Sequence, residues 1–200
     1  MFYKFKKMKI NKARVGKVDV LFVDEIPQST YPPTKGGYWR HMVPEEFKGK
    51  HVLILGVAGG TIARLLLKKY PKVKIVGVDN NSLVMSVASQ YFRVDEIKMK
   101  IIIEDAFGYI KKTRKKFDLI LVDIWDGFMF PFKVLSSEFI GDCKKILNEG
   151  GQIYINTPNL DFLAMESLKG GLRDDIGRNI IYRLKLTKEE ESNNIEEVTD

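Results

Sequence analysis

The sequence contains a single cysteine, Cys143, so no disulfide can close within the chain and a reducing compartment is expected. Cys143 falls in an apolar-periodic stretch and is read as a packing residue. No apolar run approaches the roughly 20 residues of a membrane span, and the opening residues, MFYKFKKMKINKARVGK, lack the apolar core of a secretion signal. These absences point to a cytoplasmic protein with no membrane partner. Histidine is scarce: His41 and His51 are read as surface or turn residues, and no metal is expected. Despite a net charge of +7, no motif enters a nucleic-acid groove or interleaves aromatic with basic side chains. The basic residues crowd the first 17 positions and IKKTRKKF at 110–117, whereas the stretch from Lys188 to Asp200 sets one lysine against six acids. The basic clusters are read as solvated surface, and nucleic acid is not an expected partner.

What the sequence does contain is a repeated strand–helix pattern. HVLILG (51–56), KIVGVD (74–79), KIIIED (100–105), FDLILVD (117–123) and GQIYINT (151–157) are nearly continuous apolar runs, as strands covered on both faces require. GTIARLLLKKY, SLVMSVASQYF, AFGYIKKTRKK and SSEFIGDCKKILNE, lying between them, space apolar residues three and four apart. Gly150 and Gly151 are expected to end the last of these helices in a left-handed turn. The alternation predicts an α/β fold with a doubly wound, mostly parallel, Rossmann-like sheet. Upstream, RVGKVDVLFVD predicts a small β-hairpin or short sheet, and YPPTKGGYW (31–39) a loop. Downstream, LDFLAMESLKGGL predicts a helix and NIIYRLKL (179–186) a strand, while NNIEEV is either a closing strand or a disordered tail. A chain of 200 residues suits one domain with a small appendage. The expected division is an N-terminal basic segment, hairpin and loop over 1–48, then a sheet domain with an acidic tail over 49–200.

Gly56, Gly59 and Gly60 make a G-x-x-G-G turn after HVLIL, not the G-x-G-x-x-G of dinucleotide-binding folds. Ligands of doubly wound sheets bind outside the carboxyl ends of the strands. Glycines there let the backbone approach a ligand, and the following helix start offers N–H groups. Asp79, twenty residues after Gly59, ends the second strand, where a carboxylate can take both hydroxyls of a ribose. Asp105 and the N–H of Ala106 close the third strand, suited to the amino group and ring nitrogen of an adenine. Asp123 ends the fourth strand and Asp126 follows three residues later. Two carboxylates at one strand edge suit a cationic amine, one as base and one as anchor, although Asp126 before Gly127 is also a common turn pattern.

With these residues in place, the stretch 51–158 resembles the spermidine synthase-like proteins, the aminopropyltransferases, whose Rossmann domain is shared with class I AdoMet-dependent methyltransferases. LGVAGGT resembles their glycine turn, G-G-G-D-G-G-T. VDNNSLVMSVASQYF is similar to V-E-I-D-P-x-V-x-x-x-S-x-x-Y-F, which places Asp79 and Asn80 on the donor nucleoside and Asn81 at the second acid. EDAFGYI resembles the adenine-contacting G-D-A-x-x-x-[IL]. FDLILVDIWDGFMFPFKVLSSEFI follows Y-D-x-I-x-x-D-x-x-D-P…L-[FY]-[ST]-x-E-F without a gap from Asp123 to Phe139. LFVDEIPQST is similar to the segment carrying a donor-contacting glutamine, here Gln28. Tyr38 or His41 lies nearest to the family's Tyr-His-Glu block, at a different spacing from Gln28, and Tyr38 is taken as the residue on the acceptor side. Ala58 stands where the family carries an acid for the donor's ammonium, and Gly127 where it carries proline. The sequence is shorter than is usual for the family, and strands that wall its amine pocket are expected to fall outside it.

The resemblance implies a transferase that takes an aminopropyl group from decarboxylated AdoMet, or an alkyl group from AdoMet, and gives it to a small-molecule amine. In that scheme Asp123 is the base and also meets the donor, Asp126 holds the amine, and Gly56, Gly59 and Gly60 carry the donor turn. A homodimer is compatible with it. Two alternatives stay open: an AdoMet-dependent methyltransferase, which Ala58 favours, and a nucleoside-binding homologue without catalysis.

Overall fold

A computed structural model describes residues 9–34, 36–126, 129–159, 168 and 170–186. Most of the helix expected in LDFLAMESLKGGL, together with Gly127, NNIEEV and the acidic tail, lies outside the described residues. The first element is a three-stranded antiparallel sheet, β1 (Ile10–Val15), β2 (Val18–Val23) and β3 (Ile26–Tyr31), in that order. Asp24 and Glu25 join β2 to β3 with φ of 48° and 70°. Two successive left-handed residues match the twist of paired strands, so this turn closes the hairpin tightly. The hairpin or short sheet expected in RVGKVDVLFVD is observed as β1 and β2, with β3 as the third strand of a short sheet.

The second element is a seven-stranded sheet. It contains β4 (His51–Leu55), β5 (Lys74–Asp79), β6 (Met99–Ile103), β7 (Phe117–Val122), β8 (Leu147–Pro158), β9 (Leu172–Ile176) and β10 (Asn179–Lys185) in the order β6-β5-β4-β7-β8-β10-β9. The first five are mutually parallel, and β10 runs antiparallel to both β8 and β9. The doubly wound, mostly parallel sheet expected from the sequence is the one observed. Order reverses between β4 and β7, which places their carboxyl ends at the crevice where such sheets bind ligands. Helices α1 (Thr61–Lys69), α2 (Ser82–Phe92), α3 (Ala106–Lys112) and α4 (Ser137–Lys145) connect the parallel strands. Three of the four start on a side-chain cap: Asn81 accepts from Val84 N–H, Asp105 from Gly108 N–H and Ser136 from Phe139 N–H.

The continuous apolar runs divide by strand alternation. Leu53, Leu55, Ile120 and Val122 face a core built with Tyr109 and Ile110 of α3 and Phe139 and Ile140 of α4. Val52, Ile54, Leu119 and Leu121 face the opposite core, with Ile62 and Leu66 of α1. Trp39, Met42 and Val43 are buried in that second core. The segment around residues 38–43, grouped by sequence with the N-terminal part, thus packs on the large sheet. The small sheet docks through Leu21 and Val23 of β2 onto Val84 and Phe92 of α2.

Two local expectations fail and one strand goes unpredicted, each for an identifiable reason. Helix α4 stops at Lys145, because Leu147 already pairs with Phe117 in the sheet. Gly150, with φ of 67°, therefore lies within the β8 stretch, where the register slips, and does not terminate the helix. Helix α3 stops at Lys112, since Thr113 takes an extended conformation leading into β7. The strand β9, LRDDI, has little apolar content and an exposed edge, so its pattern carried no strand signal; pairing with β10 makes it one. Among the described residues no helix is long and apolar enough to cross a membrane.

Phe92 is fully buried between α2, the small sheet and the glycine turn. Phe92→Ala is expected to cost about 3–5 kcal/mol, the usual loss for emptying a buried phenylalanine site. Urea unfolding should show a lower midpoint at an unchanged slope.

Candidate active site

A cleft of about 490 Å³ opens at the carboxyl ends of β4, β5, β6 and β7. The sequence-predicted residues Gln28, Gly56, Asp79, Asn80, Asp105, Ala106, Asp123 and Asp126 all line it. Gly59 and Gly60 do not, and their place in the fold explains why. A Cβ on Gly59 would lie 2.7 Å from the Ser29 Cβ, and one on Gly60 would lie 2.4 Å from the Ile97 Cδ1. These two glycines let the small sheet and the segment after α2 close over the turn. Gly56 is needed for a third approach: its φ is 89°, and a Cβ there would lie 2.1 Å from the backbone oxygen of Asp123.

The turn keeps none of its amides for a ligand. Gly56 N–H donates to Val78 O (2.9 Å), Val57 and Ala58 N–H to Asp79 Oδ2 (both 3.0 Å), Gly59 N–H to Ser29 Oγ (2.8 Å) and Gly60 N–H to Val57 O (2.9 Å). The start of α1 is covered as well, with Thr61 buried and exchanging hydrogen bonds with Thr30 of β3. The expectation that this turn and helix start present open N–H groups is therefore corrected. An anion such as a pyrophosphate finds no cradle here, unlike in the dinucleotide folds.

Asp79 is more heavily engaged than its expected role requires. Besides the two turn amides, its Oδ1 accepts from Asn81 N–H at 3.0 Å. A carboxylate offers about four acceptor positions, so one is left, enough for one ribose hydroxyl and not for both. Asn80, exposed and in the lining, is the nearest further polar side chain on the same edge. Asp105 likewise gives Oδ2 to the cap of α3 (Gly108 N–H, 2.8 Å) while lining the cleft. Ala106 is the first helical residue, whose N–H has no partner within an α-helix.

Asp123 is the most constrained acid. Tyr38 shares its hydroxyl proton between Oδ1 (3.1 Å) and Oδ2 (3.0 Å), and Asn156 Nδ2 donates to Oδ1 at 2.7 Å. Burial raises the Asp123 carboxyl from 3.8 to about 6, against the opposing hydrogen bonds of Asn156 and Tyr38. Burial, and then the charge of Asp123, push the Tyr38 phenol well above its ordinary value, so it stays a donor. Tyr38 reaches Asp123 but does not itself line the cleft, and His41, the alternative to it, accepts from Arg40 Nε at 3.1 Å and is also absent from the lining. Asp126 lines the cleft from an exposed position and pairs its backbone with Met129, so it is both turn residue and lining carboxylate. Cys143 is buried in α4, and burial pushes its thiol up, as expected for a packing residue.

Sequence reasoning missed Asn156, Glu104, Phe107 and Trp125. Asn156 carried a usable signal: it interrupts the apolar run IYIN at the carboxyl end of a buried strand. Glu104, Asp79, Asp105, Asp123 and Asp126 bring five carboxylates to the cleft, and among the described residues no Lys, Arg or His lines it, although Lys112 pairs with Glu104 and Lys133 Nζ lies 4.9 Å over the Phe107 ring. Phe107, Ile124, Trp125 and Pro131 supply an apolar surface for a flat ring. Among the described residues no group of three or more His, Cys, Asp or Glu is arranged to hold a metal.

A family model described as the spermine/spermidine synthase domain matches residues 38–170. Among curated proteins, the polyamine aminopropyltransferase of Chromobacterium violaceum is 34% identical over 109 residues, covering 54% of this chain and 42% of that protein. The fold is similar to that of a probable spermidine synthase from Corynebacterium glutamicum, with a TM-score of 0.77 at 18% identity, covering 96% of this chain and 84% of that one. It is also similar to a spermidine synthase solved in complex with the transition-state analogue AdoDATO, with a TM-score of 0.69 at 20% identity, covering 89% and 70% of the two chains. The chain spans less than half the length of the curated relatives it matches.

The raised carboxyl of Asp123 has a stability consequence. Between pH 3.8 and about 6 the folded state holds a proton that the unfolded chain has released, so stability falls as pH rises through that window. Above it the deficit is complete, about 3 kcal/mol at most by the pKa difference. Asp123→Asn keeps the shape and accepts from Asn156, and is expected to be more stable than wild type above pH 7, with the advantage shrinking towards pH 4. Urea melts across this range check the sign.

Proposed function

The chain belongs to the spermine/spermidine synthase family, and on that premise we propose that it transfers an aminopropyl group from decarboxylated AdoMet to a small amine. The observation that carries the choice of donor is the charge of the cleft. Five carboxylates line it, of which Glu104 is paired with Lys112, and among the described residues no cationic side chain lines it, while every amide of the glycine turn is already bonded within the protein. The carboxylate of AdoMet meets no cationic side chain among the described lining residues, whereas a donor without one, bearing a sulfonium and an ammonium, is complementary to the acids there. Ala58 removes the turn acid expected for that ammonium, and the neighbouring carboxylates take over the attraction.

In this reading Asp79 and Asn80 divide the ribose hydroxyls, and the adenine lies beside Phe107 and Pro131 within reach of Asp105 and Ala106. Gln28 reaches the donor from β3. Asp126 holds the cationic end of the acceptor. Asp123, kept an acceptor by Tyr38 and Asn156, takes the proton from the attacking amine. The nitrogen lone pair forms the new C–N bond as the C–S bond breaks, its electron pair returning to sulfur as a thioether. The sulfonium is already a good leaving group, so orientation and electrostatics supply most of the acceleration.

Calorimetry with decarboxylated AdoMet, AdoMet and methylthioadenosine tests the donor, and tighter binding of AdoMet than of its decarboxylated form would overturn the choice. Asp79→Asn is expected to weaken methylthioadenosine binding by about 1.5–3 kcal/mol, the value of charge-assisted hydrogen bonds.

Release of methylthioadenosine over a panel of diamines and polyamines tests transfer. Turnover is expected to fall about 10²–10⁴-fold in Asp123→Asn, the usual value of a general base. In wild type it should be lost as pH falls through about 6, where Asp123 takes up a proton. Release of S-adenosylhomocysteine from AdoMet instead would make the protein a methyltransferase.

A further inference from the structure

Asn156 is fully buried on β8, yet both ends of its side-chain amide are bonded. Its Nδ2 donates to Asp123 Oδ1 at 2.7 Å, and its Oδ1 accepts from Asn179 Nδ2 at 2.9 Å. Asn179 begins β10, across a short turn from Ile176 of β9. That turn is tied down from the other side. Asn159 donates through its backbone to Arg178 O (2.8 Å) and through its side chain to Gly177 O (3.3 Å). A chain of two amides thus runs from the β9–β10 hairpin to the acid at the foot of the cleft.

An asparagine amide has nearly isosteric ends, and its orientation is set by its partners. Were Asn156 turned over, its oxygen would face Asp123 Oδ1 and its NH₂ would face the NH₂ of Asn179, leaving buried groups opposed at both contacts. Each amide therefore holds the other, and only a donor can face Asp123. Oδ1 receives this donor and a share of the Tyr38 proton, whereas Oδ2 receives only the other share. The two carboxylate oxygens are made unequal by residues that line no part of the cleft.

We propose that Asn156 and Asn179 are positioning residues, a two-amide relay that keeps Oδ1 of Asp123 as a hydrogen-bond acceptor and directs proton uptake to Oδ2. The proposal rests on Asp123 acting as the base for its catalytic meaning, but not for its structural one. The other ionisable groups around Asp123 are Tyr38 from the 38–42 turn, Asp126 from the loop after β7, and Asp79 and Asp105 across the cleft. None of them donates to Oδ1 in place of Asn156 except Tyr38, whose single proton is already divided.

The test is a titration of the free protein labelled with carboxyl-¹³C aspartate, the Asp123 signal being assigned by its loss in Asp123→Asn. Two apolar variants with the same number of side-chain heavy atoms, Asn156→Leu and Asn179→Leu, are compared with wild type. Loss of a charge-assisted hydrogen bond in Asn156→Leu is expected to raise the midpoint by about one pH unit or more. Asn179→Leu should raise it by less, because Asn156 remains but is free to turn. The acid limb of turnover should move with the midpoint in each variant. A role confined to packing lowers stability and leaves the midpoint where it is. An unchanged midpoint in folded Asn179→Leu and Asn156→Leu overturns the relay. If Asn156→Leu does not fold, the partly exposed Asn179→Leu decides alone. Because the titration needs no ligand, shifted midpoints without turnover by wild type would uphold the relay and refute the transferase reading.

Discussion

An ionised carboxylate that is half-buried with no cation beside it must be held by neutral donors, and the arrangement around Asp123 follows from that requirement. The raised carboxyl shows that the donors offset only part of the cost of burial. Tyr38 arrives from a turn anchored by Trp39 and Met42 in the core, Asn156 from the buried face of β8, and Asn179 from the antiparallel strand behind it. Four separate pieces of backbone must therefore be in register before the acid is in place. A carboxylate in this condition is more basic than one in water, which is the property a proton acceptor for an amine needs.

The glycine turn serves the same end by another route. Its shape resembles that of an anion-binding loop, yet its amides are used up by Asp79, by Ser29 and by neighbouring carbonyls. Asp79 thereby works as a brace for the turn as well as a lining carboxylate. Gly56 brings the turn against the backbone of Asp123, so the ends of β4 and β7 are fixed to one another at van der Waals contact. The small sheet closes the turn from outside, through Ser29 and Thr30, and brings Gln28 to the cleft. The cleft that results is rich in carboxylates on a chain that is positive overall, a distribution that attracts cations to it.

Much of this is legible in the sequence. The runs HVLIL, KIVGVD and FDLILV carry the signature of strands buried on both faces, and the acids at their ends lie in the cleft because strand ends share one edge of a parallel sheet. The same logic misplaced Gly59 and Gly60. Their spacing marks a turn, but spacing does not distinguish a glycine that admits a ligand from one that admits Ser29 or Ile97. Gly150 misled in the opposite sense, as a helix stop that the structure uses inside a strand.

The sequence by itself determined the parallel strands of the sheet, the strand-end carboxylates and the absence of alternation in the central strands, because these depend on local periodicity and on a connection rule that is the same for every doubly wound fold. Tertiary structure alone decided which of those carboxylates is desolvated, which amides of the turn are spent and which neutral side chains reach Asp123. Tyr38, Asn156 and Asn179 lie 85, 33 and 56 residues from it in the chain. Nothing local records that they meet, since a hydrogen bond between distant strands is set by the packing of the whole sheet.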